Sequence, residues 1–513
     1  MNNPIGRGLK LLRIGWQARK MGQSHSDAER LLAQRALTAM FAEARGVTMK
    51  IGQLFADSDE ATPFRELLDN IEPLPLETVL PLIDRQLGRP YHEVFEHIEA
   101  SSAAASLGQV HHARFKQDGS EVAIKIRYPD IRDAVESELR LAGLMPGMGP
   151  VKKWGFDLLG YKEVLKQNMD RELDYRSEAQ RQQAFAQGVM VDGLVVPKVY
   201  PELCREALLV QSWEGGESLE QAKEWPIELR QQLSRILIKT LLTSLFHHGQ
   251  VHGDPHSGNY LFRRGGHGVE VALLDYGCTI EVNETARLAL LKLILAMREG
   301  RDISPLQCFA AMGFDEQKLG YIAPTLPLVA RILLRPFHAT RPLRMEDWPV
   351  SQPMSRLLGD KRWWFRSAGP PQLLLLLRAF QGLSRQLQSL EAYQDWWTLI
   401  RESLGDELLQ RAREFQLPPL SRELSETPGL QAIADTLHVE VLKNGSPHVK
   451  VSLPAEAALD LAELMPEEVL EQLQGSGEID LEAIQQRVND SGIAPQDVFD
   501  YSHADKHYRV WLS

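Results

Sequence analysis

Hydrophobic positions change period several times along the chain, and each change marks an element. Over Asp27–Val47, the residues Leu31, Leu32, Leu37, Met40 and Phe41 recur near helical spacing behind Ser26 or Asp27 as N-cap. That pattern predicts a helix. Pro63, Pro73, Pro75 and Pro81 then punctuate a shorter helical stretch, Glu77–Leu87 leads to Gly88, and Tyr91–Glu99 reads as a second short helix. Residues 1–100 are therefore expected to form a helical N-terminal extension. Beyond Ala103 the period falls to two: Gln109–Phe115 and Glu121–Arg127 alternate, and Gln117-Asp118-Gly119 between them predicts a β-hairpin turn. A long helical region over Lys162–Gln187 follows, then a strand pair at Val195–Tyr200 and Glu206–Trp213. Leu233, Ile236, Leu237, Leu241, Leu242 and Leu245 mark a buried helix within Ile227–His248, and Val269–Asp275 reads as another strand. Helices dominate to about Leu409. After Pro418-Pro419 and Pro428-Gly429, the run Val439–Leu453 alternates on both sides of Asn444-Gly445 and predicts a second hairpin. Two short helices, Ala455–Gln474 and Asp480–Asn489, and a strand at Tyr508–Leu512 complete a small α+β module over residues 435–513.

Composition narrows the class. A length of 513 residues accommodates two to four packed units, and 43% hydrophobic with 25% charged residues is ordinary globular usage. Against 57 Lys and Arg stand 69 Asp and Glu, a net charge of −12, which opposes a phosphate backbone and excludes nucleic acid as an expected partner. The three cysteines, Cys204, Cys278 and Cys308, form no C-x-x-C pair, which points to a reducing compartment without a zinc ribbon. The longest apolar runs, Leu288–Met297 with Lys292 inside it and Leu373–Leu377 ended by Arg378, fall short of the ~20 residues that span a bilayer. No transmembrane helix is expected. The N-terminal Arg7, Lys10, Arg13, Arg19 and Lys20 lie among Leu9, Leu11, Leu12, Ile14 and Trp16. They read as an ordinary surface helix, with a basic amphipathic segment touching acidic lipid as the alternative. The expected location is cytoplasmic, with peripheral contact at the inner face of the membrane as a variant of it.

The densest chemistry lies at His252-Gly253-Asp254-Pro255-His256-Ser257-Gly258-Asn259, followed by Leu273-Leu274-Asp275-Tyr276-Gly277. Asp254 and Asn259 stand five apart, the spacing of a phosphotransferase catalytic loop, and Asp275 closes a strand in an Asp-aromatic-Gly sequence. One carboxylate must orient or deprotonate the nucleophile, while an amide oxygen and a second carboxylate hold magnesium against phosphate. Val122-Ala123-Ile124-Lys125 has the V-A-I-K form, a strand lysine able to meet phosphates and a helical glutamate, for which Glu178 is the candidate. The preceding Ala103-Ala104-Ala105-Ser106-Leu107-Gly108-Gln109 occupies the place of a phosphate loop with a single glycine. His247, His248, His252 and His256 cluster around the loop, but no Cys or acidic partner has zinc spacing, so loop hydrogen bonding is the expected role.

These motifs resemble the UbiB/AarF/ADCK family of atypical kinases: K-x-G-Q at Lys50–Gln53, the alanine-rich loop, V-A-I-K at Lys125, E-x-D at Glu172 and Asp174, Asp254 with Asn259, and Asp275 in D-Y-G. The resemblance implies a bilobal, protein-kinase-like α+β fold, with a small lobe over 101–225 and a large helical lobe over 226–415. It implies ATP and Mg2+ as cofactors. Asp254, Lys125 and Glu178 would act in catalysis, Asn259 and Asp275 would hold metal together with Glu172 and Asp174, and Ala103, Ala104, Ala105, Ser106, Gly108, Lys125, Lys50 and Gln53 would face the nucleotide. The K-x-G-Q helix would fold over the site, with Lys50 meeting Glu172 and Asp174. Slow ATP hydrolysis or phosphate transfer is then the expected activity, tied in the family to isoprenoid-quinone (ubiquinone) biosynthesis and lipid surfaces. A lipid or quinone-precursor ligand, and a protein partner for residues 435–513, follow as expectations. This chain lacks the C-terminal transmembrane segments of many members. Two other readings stay open: a small-molecule phosphotransferase, and a nucleotide-gated scaffold that is not an enzyme.

Overall fold

The computed structural model describes residues 74–104, 108–128, 158–254, 256–266, 268–421, 428–465, 480–503 and 505–513. The Asp27–Val47 helix, Lys50 and Gln53 lie outside the described residues, as do Ala105, Ser106 and Leu107 of the alanine-rich loop. The chain divides into two compact units, Met1–Glu281 with Pro371–Leu390, and Val282–Pro370 with Glu391–Ser513.

In the first unit, helix α1 (Leu76–Leu87) buries Val79, Ile83 and Leu87, four apart on one stripe, and ends at Gly88 in the left-handed conformation. The stripe packs on a four-stranded antiparallel sheet of β1 (Phe95–Ala104), β2 (Gly108–Phe115), β3 (Glu121–Arg127) and β5 (Leu208–Ser212), paired in that order. Alternation along β3 sends Val122, Ile124 and Ile126 into this core, so Lys125 leaves the opposite face. The hairpin read at Gln109–Phe115 and Glu121–Arg127 is β2–β3.

The helix read at Tyr91–Glu99 is corrected: a 3-10 turn covers Tyr91–Glu93 and the chain then runs as β1. Phe95 and Ile98, three apart, imitate helical spacing. Register shifts in the β1–β2 pairing let both residues enter the core, which a regular strand forbids for an odd separation. Ala103 and Ala104, read as loop, are paired strand residues opposite Val110 and Gln109.

The long helical region divides at Leu173 into α2 (Leu158–Glu172) and α3 (Tyr175–Gly188), because Asp174 turns extended and caps α3. Helix α4 (Ile227–Thr243) runs into a π turn, Ser244–His248, closed by Gly249. Beyond it, β6 (Gln250–His252) pairs with β9 (Thr279–Glu281), and β7 (Tyr260–Gly265) with β8 (Gly268–Leu273), while β4 (Leu194–Val195) runs parallel to β8. The predicted pair at Val195–Tyr200 reduces to irregular bonds onto β5, with Val199 opposite Gln211. A helix over Leu373–Ser389 completes this unit.

The second unit holds further helices, among them Glu284–Glu299 and Trp396–Glu414, and a four-stranded sheet. Its strands β10 (Thr436–Lys443), β11 (Ser446–Pro454), β12 (Gln496–His503) and β13 (Lys506–Leu512) are ordered β11-β10-β13-β12. Asn444 and Gly445 both adopt positive φ, 51° and 74°, as a type I′ hairpin turn requires. Strand β12 was not anticipated, and the segment read as helical from Ala455 begins with 3-10 turns. Among the described residues, no helix is long and apolar enough to cross a membrane.

Two buried features of the first sheet are open to test. Gly108 approaches β3 so closely that a Cβ would lie 2.3 Å from the Ile126 carbonyl oxygen and 2.7 Å from the Tyr175 hydroxyl. Gly108→Ala is expected to cost about 1–3 kcal/mol in urea unfolding, through overpacking alone; a neutral substitution would refute the close approach. Beside it, buried Gln109 bonds both the amide and the carbonyl of Leu74, and His111 accepts from the Gln109 amide while its Nδ1–H donates to the Glu99 carbonyl. Burial holds the pKa of His111 below its ordinary value, and does the same at His338. An unfolded histidine takes its proton near pH 6.5, before these folded ones do, so their contribution is present above that pH and lost as pH falls. The melting temperature is expected to drop below about pH 6.5, and the drop should be shallower in His111→Gln. A slope identical in the variant would exclude His111 as a source.

Candidate active site

The site is assembled around the amine of Lys125, delivered from β3. Its Nζ donates to Glu178 Oε1 at 2.9 Å and Oε2 at 3.2 Å, and to Asp275 Oδ2 at 2.7 Å. The Tyr175 ring lies beneath it, 5.0 Å from Nζ. Side-chain exposure falls from 27% at Asp275 to 13% at Lys125 and 1% at Glu178, so the ion triad reaches from the surface into the interior. Burial alone would lower the Lys125 pKa, but the carboxylates of Asp275 and Glu178 outweigh it and raise the pKa well above its ordinary value. Burial pushes the Glu178 carboxyl up, a shift that Lys125 opposes and Asp275 reinforces.

Asp275 is fixed from several sides. Its Oδ1 accepts from the Gly277 amide at 2.8 Å, and its backbone carbonyl accepts from His252 Nε2 at 2.5 Å. A carbonyl can only accept, so His252 carries its proton on Nε2, and burial keeps its pKa low and the ring neutral. Arg181, on α3, donates Nε to the Tyr276 carbonyl and Nη2 to those of Gly277 and Arg171, while Nη1 reaches Ser177. One guanidinium therefore ties the Asp275 loop to the helix that carries Glu178.

The second half of the site is the loop between β6 and β7. Asn259 Nδ2 donates to Asp254 Oδ2 at 3.0 Å, and the Asn259 carbonyl accepts from the Leu274 amide at 2.9 Å, which couples this loop to the strand ending at Asp275. Asp254 Oδ1 accepts from Arg378 Nη2 at 3.0 Å. Gly253 is closely packed: a Cβ there would stand 2.8 Å from Cys278 Sγ and 3.0 Å from Ile280. His256 accepts from the Gly258 amide, so His252 and His256 do serve as loop hydrogen-bonding groups.

The structure brings Lys125 and Glu178 together, as the sequence paired them, adds Asp275 to that pair, and sets Asn259 against Asp254. Glu172 and Asp174 diverge. Buried Glu172 accepts from Asn168 Nδ2 at 3.4 Å and borders the Asp275 loop, 3.5 Å from where a Gly277 Cβ would be. Asp174 instead caps α3, accepting from the amides of Arg176 and Ser177. Among the described residues, no group of three or more His, Cys, Asp or Glu side chains gathers at metal-binding range. Gly108 has a packing reason to be glycine, given above. Arg181, Tyr175 and Arg378 were missed; the signal available for Arg378 was a charge closing five consecutive leucines.

Residues 66–303 match the model of the ABC1 atypical kinase-like domain. ABC1 family protein C10F6.14c of Schizosaccharomyces pombe is 30% identical over 305 residues, 56% of this chain and 56% of that protein. Mitochondrial atypical kinase COQ8B of Rattus norvegicus is 30% identical over 246 residues, 46% of each chain. AarF domain-containing protein kinase 1 of Xenopus laevis is 32% identical over 259 residues, 48% of this chain and 49% of that protein. The chain spans about half the length of these curated relatives.

Removing the amine leaves two carboxylates facing each other with no cation between them. Lys125→Met is expected to cost about 3–5 kcal/mol, and Lys125→Met/Glu178→Gln less than the sum of its single changes, in urea unfolding of the full chain. A Lys125→Met protein as stable as the parent would show that the triad is not held in solution.

Proposed function

With residues 66–303 belonging to the ABC1 atypical kinase-like family, the UbiB/AarF/ADCK group, we propose that this chain binds Mg-ATP and either hydrolyses it slowly or transfers its γ-phosphate. The observation that carries the reading is the single amine shared by Glu178 and Asp275. Such an arrangement presents Lys125 to the α and β phosphates while the helical glutamate fixes its direction. In the same reading Asn259 offers an amide oxygen, since its Nδ2 is spent on Asp254, and Asp275 offers a carboxylate. Magnesium needs only one or two such protein oxygens beside phosphate and water, so this donor set suits it without a third acidic ligand. Bound there, the ion would neutralise charge developing on the transferring phosphoryl group.

Asp254 stands at the base position. As the oxygen of an attacking water or hydroxyl forms its bond to the γ-phosphorus, the bridge to ADP breaks and the proton passes to the Asp254 carboxylate. Alanines before Gly108 in place of a glycine-rich loop restrict backbone approach to phosphate, which favours slow turnover over rapid phosphorylation of many acceptors. Support of isoprenoid-quinone or lipid metabolism rests on the family resemblance. So do a lipid or quinone-precursor ligand and peripheral contact with the inner membrane face. Residues 435–513 are the proposed protein-partner module.

Calorimetry with MgATP and MgADP, and steady-state ATP hydrolysis, test the reading through Asp275→Asn. A loss on the order of 10²-fold in rate is expected, since this carboxylate would hold the ion against the phosphates. Unchanged binding and unchanged hydrolysis together would overturn the assignment.

A further inference from the structure

We infer that Arg378 is a positioning residue for the Asp254 carboxylate, supplied by a segment that returns to the catalytic unit after the chain has left it. The inference rests on the nucleotide reading above. In the H-R-D form of a kinase catalytic loop, arginine precedes the aspartate. Here that residue is Gly253, where a Cβ would stand 2.8 Å from Cys278 Sγ and 3.0 Å from Ile280. The cation that meets Asp254 comes from 124 residues further along: Arg378 Nη2 donates to Oδ1 at 3.0 Å, with side chains 12% and 20% exposed.

The delivery is built into the fold. Pro371–Leu390 belongs to the same compact unit as Met1–Glu281, although residues 282–370 and 391 onward form the other one. The Leu373–Ser389 helix packs against β6, and its Ala379 and Leu383 line a small cavity together with Val251, His252 and Tyr260, residues of the strands that flank the loop. Arg378 adjoins Ala379, so apolar packing of the helix sets where its guanidinium falls. The matched domain ends at residue 303, so the site draws on a residue outside it.

Arg378 and Asn259 divide the two Asp254 oxygens between them. A carboxylate held at both ends has one orientation to offer, which is what an in-line attack on phosphorus demands.

The test uses full-length Arg378→Gln, Arg378→Lys and Arg378→Ala beside Asp254→Asn, with thermal melting to establish folding. Arg378→Gln is expected to lower kcat for ATP hydrolysis about 10- to 100-fold with MgADP affinity within about threefold of the parent, as loss of alignment does. Arg378→Lys should recover part of kcat, and added guanidinium should raise the rate of Arg378→Ala. Should Arg378→Gln misfold, the Lys variant and the guanidinium response carry the decision. A parent-like or faster Arg378→Gln, in a protein that loses activity with Asp254→Asn, would overturn the role of Arg378 and leave the nucleotide reading standing. Unchanged hydrolysis in Asp254→Asn would remove the nucleotide reading itself.

Discussion

Everything at this site depends on keeping one lysine charged where water is nearly excluded. A buried ammonium alone would shed its proton, and a buried carboxylate alone would take one up. Lys125 escapes the first outcome because the carboxylates of Asp275 and Glu178 outweigh its burial, while the Glu178 carboxyl is still pushed up by burial and by Asp275 against the pull of Lys125. Such a pair adds little net stability over a well-packed apolar substitute, because desolvation consumes most of the Coulombic gain. Its value is geometric: it fixes a strand, a helix and a loop to one point.

The surrounding structure serves that point. Helix α3 begins where it does because Asp174 caps it, and this start brings Glu178 beneath β3 one turn later. Arg181, a further turn on, clamps the backbone of Tyr276 and Gly277, so Asp275 and Glu178 keep their separation. His252 takes the Asp275 carbonyl from the other side as a neutral ring, adding a hydrogen bond without adding charge. The E-x-D pair illustrates how neighbours in sequence take different work: Glu172 faces the Asp275 loop, and Asp174 spends its carboxylate on helix geometry.

Much of the site was legible because its parts are short and local. V-A-I-K is a strand whose alternation already separates Ile124 from Lys125, and Asp254 and Asn259 share one loop. The Asn444-Gly445 hairpin was equally readable, since its turn demands positive φ at both residues. Local pattern failed at β1, where Phe95 and Ile98 sit at helical spacing but are accommodated by strand bulges. At Gly108, read as a phosphate-loop glycine, local pattern did not carry the close approach of the Ile126 carbonyl and Tyr175 that a side chain would meet.

By itself, then, the sequence determined the candidate residues and their spacing, the strands and helices that hold most of them, and the match of residues 66–303 to the ABC1 atypical kinase-like domain. These follow from nearest-neighbour spacing and side-chain chemistry. The tertiary structure decided which charges meet. The meeting of Asp275 with the Lys125–Glu178 pair depends on where the loop after β8 falls, and the arrival of Arg378 at Asp254 depends on the packing of a helix distant in sequence. Burial decided the rest, because protonation follows from how much water reaches a group, and that is a property of the packed chain.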